Sequence, residues 1–159
     1  MKQKSLSKWL KLIIIGVGVC GLVSDFVIIP AFGQSAAGSD PALTRMYLPW
    51  LIFAWVFSAP CFAALVLSWL IARNIGLDRS FSEDNAKYMK YISVLAGADT
   101  AFFFVMNIVF LFLGMNHPGV LIFSLIVDMI GVAISVAAAA LSHLIAKAAE
   151  LQDQSDLTI

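Results

Sequence analysis

Two adjoining stretches decide the fold: YISVLAGADTAFFFVMNIVFLFLG (Tyr91–Gly114) and VLIFSLIVDMIGVAISVAAAALSHLIA (Val120–Ala146), separated only by MNHPG. At about 1.5 Å of helical rise per residue each is long enough to cross ~30 Å of hydrocarbon, and neither contains a Lys or Arg. The link between them is too short for anything but a reversal. At Asn116–Gly119, Pro118 sets one dihedral of a tight turn and Gly119 permits a positive one. The pair therefore predicts an antiparallel helical hairpin across a membrane.

Working outward, two further apolar runs, Leu12–Phe32 and Tyr47–Ile71, satisfy the same length test. The expected architecture is all-α: a bundle of four transmembrane helices forming one integral membrane domain over residues 1–159. Composition agrees, with 61% hydrophobic and 13% charged residues, where soluble chains average about 45–50% and about 25%. Lys2, Lys4, Lys8 and Lys11 ahead of the first run resemble the start of a secretory signal, but the run is longer than a signal core and reads as a span. Ten Lys and Arg balance ten Asp and Glu, so no global basic field exists and no direct nucleic-acid binding is expected.

Basic residues set the expected orientation. Four lie in the N-terminal arm, four in the Arg73–Lys90 connection and one at Lys147, against Arg45 alone on the opposite side. Both termini are therefore expected in the cytoplasm of a bacterial inner-membrane protein, with Gly33–Met46 as a polar external loop. In that loop Ser39-Asp40-Pro41 reads as a cap followed by proline at the first helical position. Pro60 predicts a bend in span 2. Between spans 2 and 3, Ser82 reads as an N-cap with Glu83 and Asp84 in the first turn, so the third helix should begin in the cytoplasm.

Gly16-Val17-Gly18-Val19-Cys20-Gly21 has the spacing of a dinucleotide fingerprint but lies mid-span, where glycines let helices approach; Gly131, Ser135 and Ala139 are read the same way. Cys20 and Cys61 read as small apolar packers inside spans. His117 and His143 are far apart in sequence and have no cysteine near them, so neither a metal site nor a cofactor is expected. No nucleophile–base set or phosphate-cradling loop is present, and the chain is not expected to be an enzyme.

Polar groups inside the spans stand out instead: Asp25, Asp99, Asn107 and Asp128. An ionised Asp at a helix centre costs about 2.5–3.5 kcal/mol on an insertion scale, so these groups should face the bundle interior, be protonated or have a partner. Ser124, Asp128, Ser135 and Ser142 share one face of span 4, and Gly18, Gly21 and Asp25 one face of span 1. Counting depth from the ends of the spans puts Asp25, Asn107 and Asp128 on one outer level and Asp99 nearer the cytoplasm. The expectation is a hydrogen-bonded cluster of Asp25, Asn107 and Asp128, in which Asp128→Leu leaves its neighbours unpaired. Its functional version is a proton or cation site.

The segment Phe81-Ser82-Glu83-Asp84-Asn85 and the ending Asp156-Leu157-Thr158-Ile159 resemble the bacterial family known as domain of unknown function 2975. That resemblance covers essentially the whole chain. It implies a short four-span membrane protein with a Phe-Ser/Thr-x-x-Asn segment between spans 2 and 3, and a role as partner of a small helix-turn-helix regulator. Gln154-Ser155 stands where the family has Glu-Asn, and the intramembrane aspartates lie outside the family pattern. The expected function is a non-enzymatic sensor or regulatory protein whose Phe81, Ser82 and Asn85, with Asp156, Leu157, Thr158 and Ile159, meet a cytoplasmic partner. The alternative is a small proton- or cation-coupled transporter using the aspartates, with a homo-oligomer enclosing its path.

Overall fold

In the computed structural model, which describes residues 3–156, the chain is helical almost throughout: α1 (Gln3–Val23), a π-turn at Ser24–Ile28, α2 (Ile29–Ser39), α3 (Pro41–Gly76), α4 (Glu83–Phe112) and α5 (Pro118–Asp156). Since α1, the π-turn and α2 run on as one rod, there are four helices long and apolar enough to cross a membrane. The all-α, four-span reading holds.

The first connection differs from expectation. The helix runs through Gly33 to Ser39, and only Asp40 leaves helical geometry; its carboxylate accepts from Ala42 N–H at 2.8 Å, with Pro41 at the first helical position. Ala and Ser tolerate helix well enough that, with a cap already supplied, no longer loop is required.

Pro30 explains the π-turn. There Ile29 N–H bonds to Ser24 O, five residues back, so the next bond in the same pattern would run from residue 30 to Asp25 O. Proline has no N–H to give. The orphaned Asp25 carbonyl is taken instead by the indole of Trp55, whose Nε1 donates to it at 3.1 Å.

The second turn also departs from its predicted form. Gly114, not Gly119, carries the positive φ (66°), and Met115 N–H bonds back to Phe110 O at 2.8 Å, the closure of a helix C-terminus through a left-handed residue. Pro118 then opens α5 and Gly119 lies inside it. Asp78 (φ 58°) closes α3 in the same way, with Arg79 N–H on Asn74 O. Pro49 and Pro60 are accommodated within a continuous α3.

The helices stand in an antiparallel row. The first rod packs on α3, α3 on α4, and α4 on α5; among the described residues α5 packs directly on α4 alone. Two seams carry this order. Along α1 and into the π-turn, Ser7, Lys11, Ile14, Gly18, Gly21 and Asp25 turn inward at alternating four- and three-residue steps. Ser7 Oγ–H donates to Ala72 O (2.6 Å), the Lys11 ammonium sits 5.3 Å from the Trp69 ring centre, and Gly21 lies against Phe62. On α5 the same alternation runs through Ser124, Asp128, Gly131, Ser135, Ala138, Ser142, Ile145 and Ala149, while Ala139 is exposed.

Across the α4–α5 seam the hydroxyls of Ser93 and Ser135 each donate to the other's main-chain carbonyl at 2.8 Å, and Ser142 Oγ–H donates to Ala86 O at 2.7 Å. At Gly131 a β-carbon would collide with Thr100, so glycine is what lets the two backbones come this close. Large apolar side chains such as Ile122, Met129 and Val136 face outward, the inverse of a soluble core.

Candidate functional site

The α4–α5 register decides which polar groups meet. With Ser93 opposite Ser135 and Ala86 opposite Ser142, the residue facing Asp128 is Thr100, about 10 Å along α4 from Asn107. Asp128 and Asp99 line one cavity of about 300 Å³ bounded by α3, α4 and α5; neither Asn107 nor Asp25 lines it. Its walls include Phe57, Pro60, Ile92, Leu95, Phe103 and Ile130.

Both carboxyl groups are more than nine-tenths buried, each residue being 8% exposed. The Cys61 thiol donates to Asp99 Oδ2 at 3.5 Å. Asp99 Oδ1 and both oxygens of Asp128 have no hydrogen-bond partner. The Thr100 hydroxyl, also on the cavity wall, is occupied by Ala96 O at 2.7 Å. No Lys, Arg or His lines the cavity. Two residues on the wall of an apolar chamber thus carry three buried carboxylate oxygens without a hydrogen-bond partner, which is costly in a low-dielectric setting.

The expected Asp25–Asn107–Asp128 cluster is therefore rearranged. Asn107 is 1% exposed, but its amide serves the α4–α5 turn: Oδ1 accepts from Asn116 Nδ2 at 3.1 Å and Nδ2 donates to Phe103 O at 2.9 Å. Asp25 is buried at the π-turn, where the first rod packs on α3, away from the α4–α5 seam. Asp99 takes the place that depth counting assigned to Asn107. Depth failed because it assumed that helix ends align, whereas the interlocked serines set the register. Cys61 and Thr100 were missed; α3 is apolar on every side, so nothing in its sequence marks the face that meets Asp99.

At the end of the bundle holding the N-terminus and the α3–α4 loop, the Phe81–Asn85 segment divides by role. Ser82 caps α4, its hydroxyl accepting from Asn85 N–H at 3.3 Å. Asn85 is fully buried: Nδ2 donates to Arg79 O and Ser80 O at 3.0 Å each, and Oδ1 accepts from Asn74 Nδ2 at 2.8 Å. Phe81, by contrast, is 58% exposed. Asp156 ends α5, and Leu157, Thr158 and Ile159 lie outside the described residues.

Among the described residues no group of three or more His, Cys, Asp or Glu side chains is placed to hold a metal ion. The chain is similar to the uncharacterized membrane protein YoaS of Bacillus subtilis (strain 168), with 23% identity over 155 residues, 95% of this chain and 96% of that one. No solved structure matches it. Residues 31–159, which include α3, α4, α5, the Phe81–Asn85 segment and the terminal Asp-Leu-Thr-Ile, match the description "protein of unknown function (DUF2975)", and the chain is a member of that family of membrane proteins.

Proposed function

We propose that this chain is a non-enzymatic protein of the bacterial cytoplasmic membrane that takes up and releases a proton or small cation at Asp99 and Asp128. One observation carries the reading: Asp99 and Asp128, on two helices, line one cavity and between them hold three buried carboxylate oxygens without a hydrogen-bond partner. Such groups are costly in a bilayer, and acids within membrane spans mark ion pathways and proton relays. A hydrophobic carbodiimide, which couples to protonated carboxyls in apolar surroundings, tests it. Modification at Asp99 or Asp128 should quicken as pH falls and vanish in the Asp99→Asn/Asp128→Asn variant. Absence of modification in the wild-type chain at every pH overturns the reading.

The cytoplasmic placement of both termini is supported by eight of the nine basic residues among the described residues lying toward the end shared by Gln3, Ser80 and the α5 C-terminus. In a chain with Cys20→Ala and Cys61→Ala, a membrane-impermeant thiol reagent should reach Gly38→Cys from outside intact cells and Arg79→Cys only after permeabilisation. The reverse pattern inverts the topology.

A second reading is favoured by Phe81. Around it Ser82 and Asn85 are spent on holding the loop, so an exposed aromatic ring is presented on a rigid turn, as suits a contact for a cytoplasmic regulator. Cross-linking in membranes should recover a small helix-turn-helix protein with the intact chain and lose it with Phe81→Ala or on truncation after Ser155. Recovery unchanged in both variants removes the partner role from these segments.

A further inference from the structure

We infer that the cavity between α3, α4 and α5 binds a compact hydrophobic amine that enters sideways from the bilayer, its ammonium group held by Asp99 and Asp128. This inference rests on the acid-pair reading above and names the guest. The first argument is access. The lining comes from three helices and from no loop or terminus, and α5 packs directly on α4 but not on α3, so the gap between α3 and α5 opens toward lipid. Ile130 and Ile134, on the α5 side of that gap, are 56% and 51% exposed. A solute dissolved in the membrane meets this mouth without crossing a polar boundary.

The second argument is chemistry. An alkylammonium carries three N–H donors, and the residues lining the cavity carry three unpartnered acceptors that a small side-chain rotation would turn to a guest: Asp99 Oδ1 and both oxygens of Asp128, each residue more than nine-tenths buried. The Cys61 thiol engages Asp99 Oδ2 and leaves Oδ1 as the acceptor with no partner. A hard metal ion fits less well, because Ca²⁺ and Mg²⁺ need about six oxygen ligands. Here the two carboxylates supply four oxygens at most, one of them already accepting from the Cys61 thiol. The apolar walls, with Phe57 and Phe103 among them, suit a hydrocarbon body and offer aromatic faces to a cation. A volume of about 300 Å³ restricts that body to a small cage or short chain.

The test uses the full-length chain in nanodiscs of phosphatidylethanolamine and phosphatidylglycerol, with 1-adamantylamine as probe and the neutral 1-adamantanol as its shape match. The amine should bind at least about tenfold more tightly than the alcohol, the scale of a charge-assisted hydrogen bond. It should also protect Asp99 and Asp128 from the hydrophobic carbodiimide, which the alcohol should not. The Asp99→Asn/Asp128→Asn variant should bind the two probes equally. Should that variant fail to fold, protection in the wild-type chain decides the matter. Equal binding of amine and alcohol to the wild type, or carbodiimide modification that proceeds undiminished with the amine present, overturns the amine site while leaving proton exchange standing. Failure of the carbodiimide to react at all removes both.

Discussion

Asn85 and Asn107, toward the two ends of α4, and Asp99 between them are all buried in one helix, yet their surroundings are opposite. Each asparagine fastens a loop: Asn85 bonds to Arg79, Ser80 and Asn74, and Asn107 to Asn116. Asp99 and its counterpart Asp128 bond to little beyond one thiol. Buried polar groups that serve architecture are saturated, because an unsatisfied one costs more than a made bond returns. The middle of the bundle leaves acceptors without partners, and that contrast with the saturated amides is what the proposed proton or cation site rests on.

The contrast breaks most visibly at Asn85. Replacing it with Leu strands the Arg79 and Ser80 carbonyls and the Asn74 amide, and should cost about 2–3 kcal/mol. Unfolding of the full-length chain in mixed micelles measures it; a loss below about 0.5 kcal/mol would place the loop's restraint elsewhere.

The seam that brings Asp128 beside Asp99 comes next. Gly131→Val drives a side chain into Thr100 and should cost about 1–2 kcal/mol, partly recovered by adding Thr100→Ala. No recovery in the double variant would show that the helices are not held at this separation by Gly131. Ser93→Ala and Ser135→Ala each remove one interhelical bond and should cost about 0.6 kcal/mol apiece, the usual size within a bilayer.

The smallest effect belongs to Asp128→Leu. Sequence reasoning expects a penalty from unpaired neighbours, but Asp128 has no hydrogen-bond partner to strand. Its replacement should leave stability within about 0.5 kcal/mol or raise it, because a desolvated carboxyl is removed and apolar contact added. A loss of about 2 kcal/mol or more would reveal a hydrogen-bonding role and collapse the distinction from Asn85.

Much of the arrangement was legible from particular residues. Ser82 was readable as a cap because its hydroxyl precedes two acidic residues at a helix start. The inward faces of α1 and α5 were readable because small and polar residues recur on them among large apolar ones. The role of Asn85 was not: a Phe-Ser-x-x-Asn segment says nothing about which carbonyls the amide reaches. Nor was the partner of Asp99, since Cys61 lies on a helix whose apolar residues surround it on all sides.

The sequence by itself determined the number of spans, their antiparallel order and the presence of acids that must avoid lipid, because length, hydropathy and short connections are local properties that a bilayer makes decisive. Only the tertiary structure decided which acids meet. Sliding one antiparallel helix past another by a single turn exchanges every cross-helix neighbour, and what stops the slide is the interlock of Ser93 with Ser135 and the fit of Thr100 against Gly131. Those contacts join residues distant in the chain, so no local pattern records them.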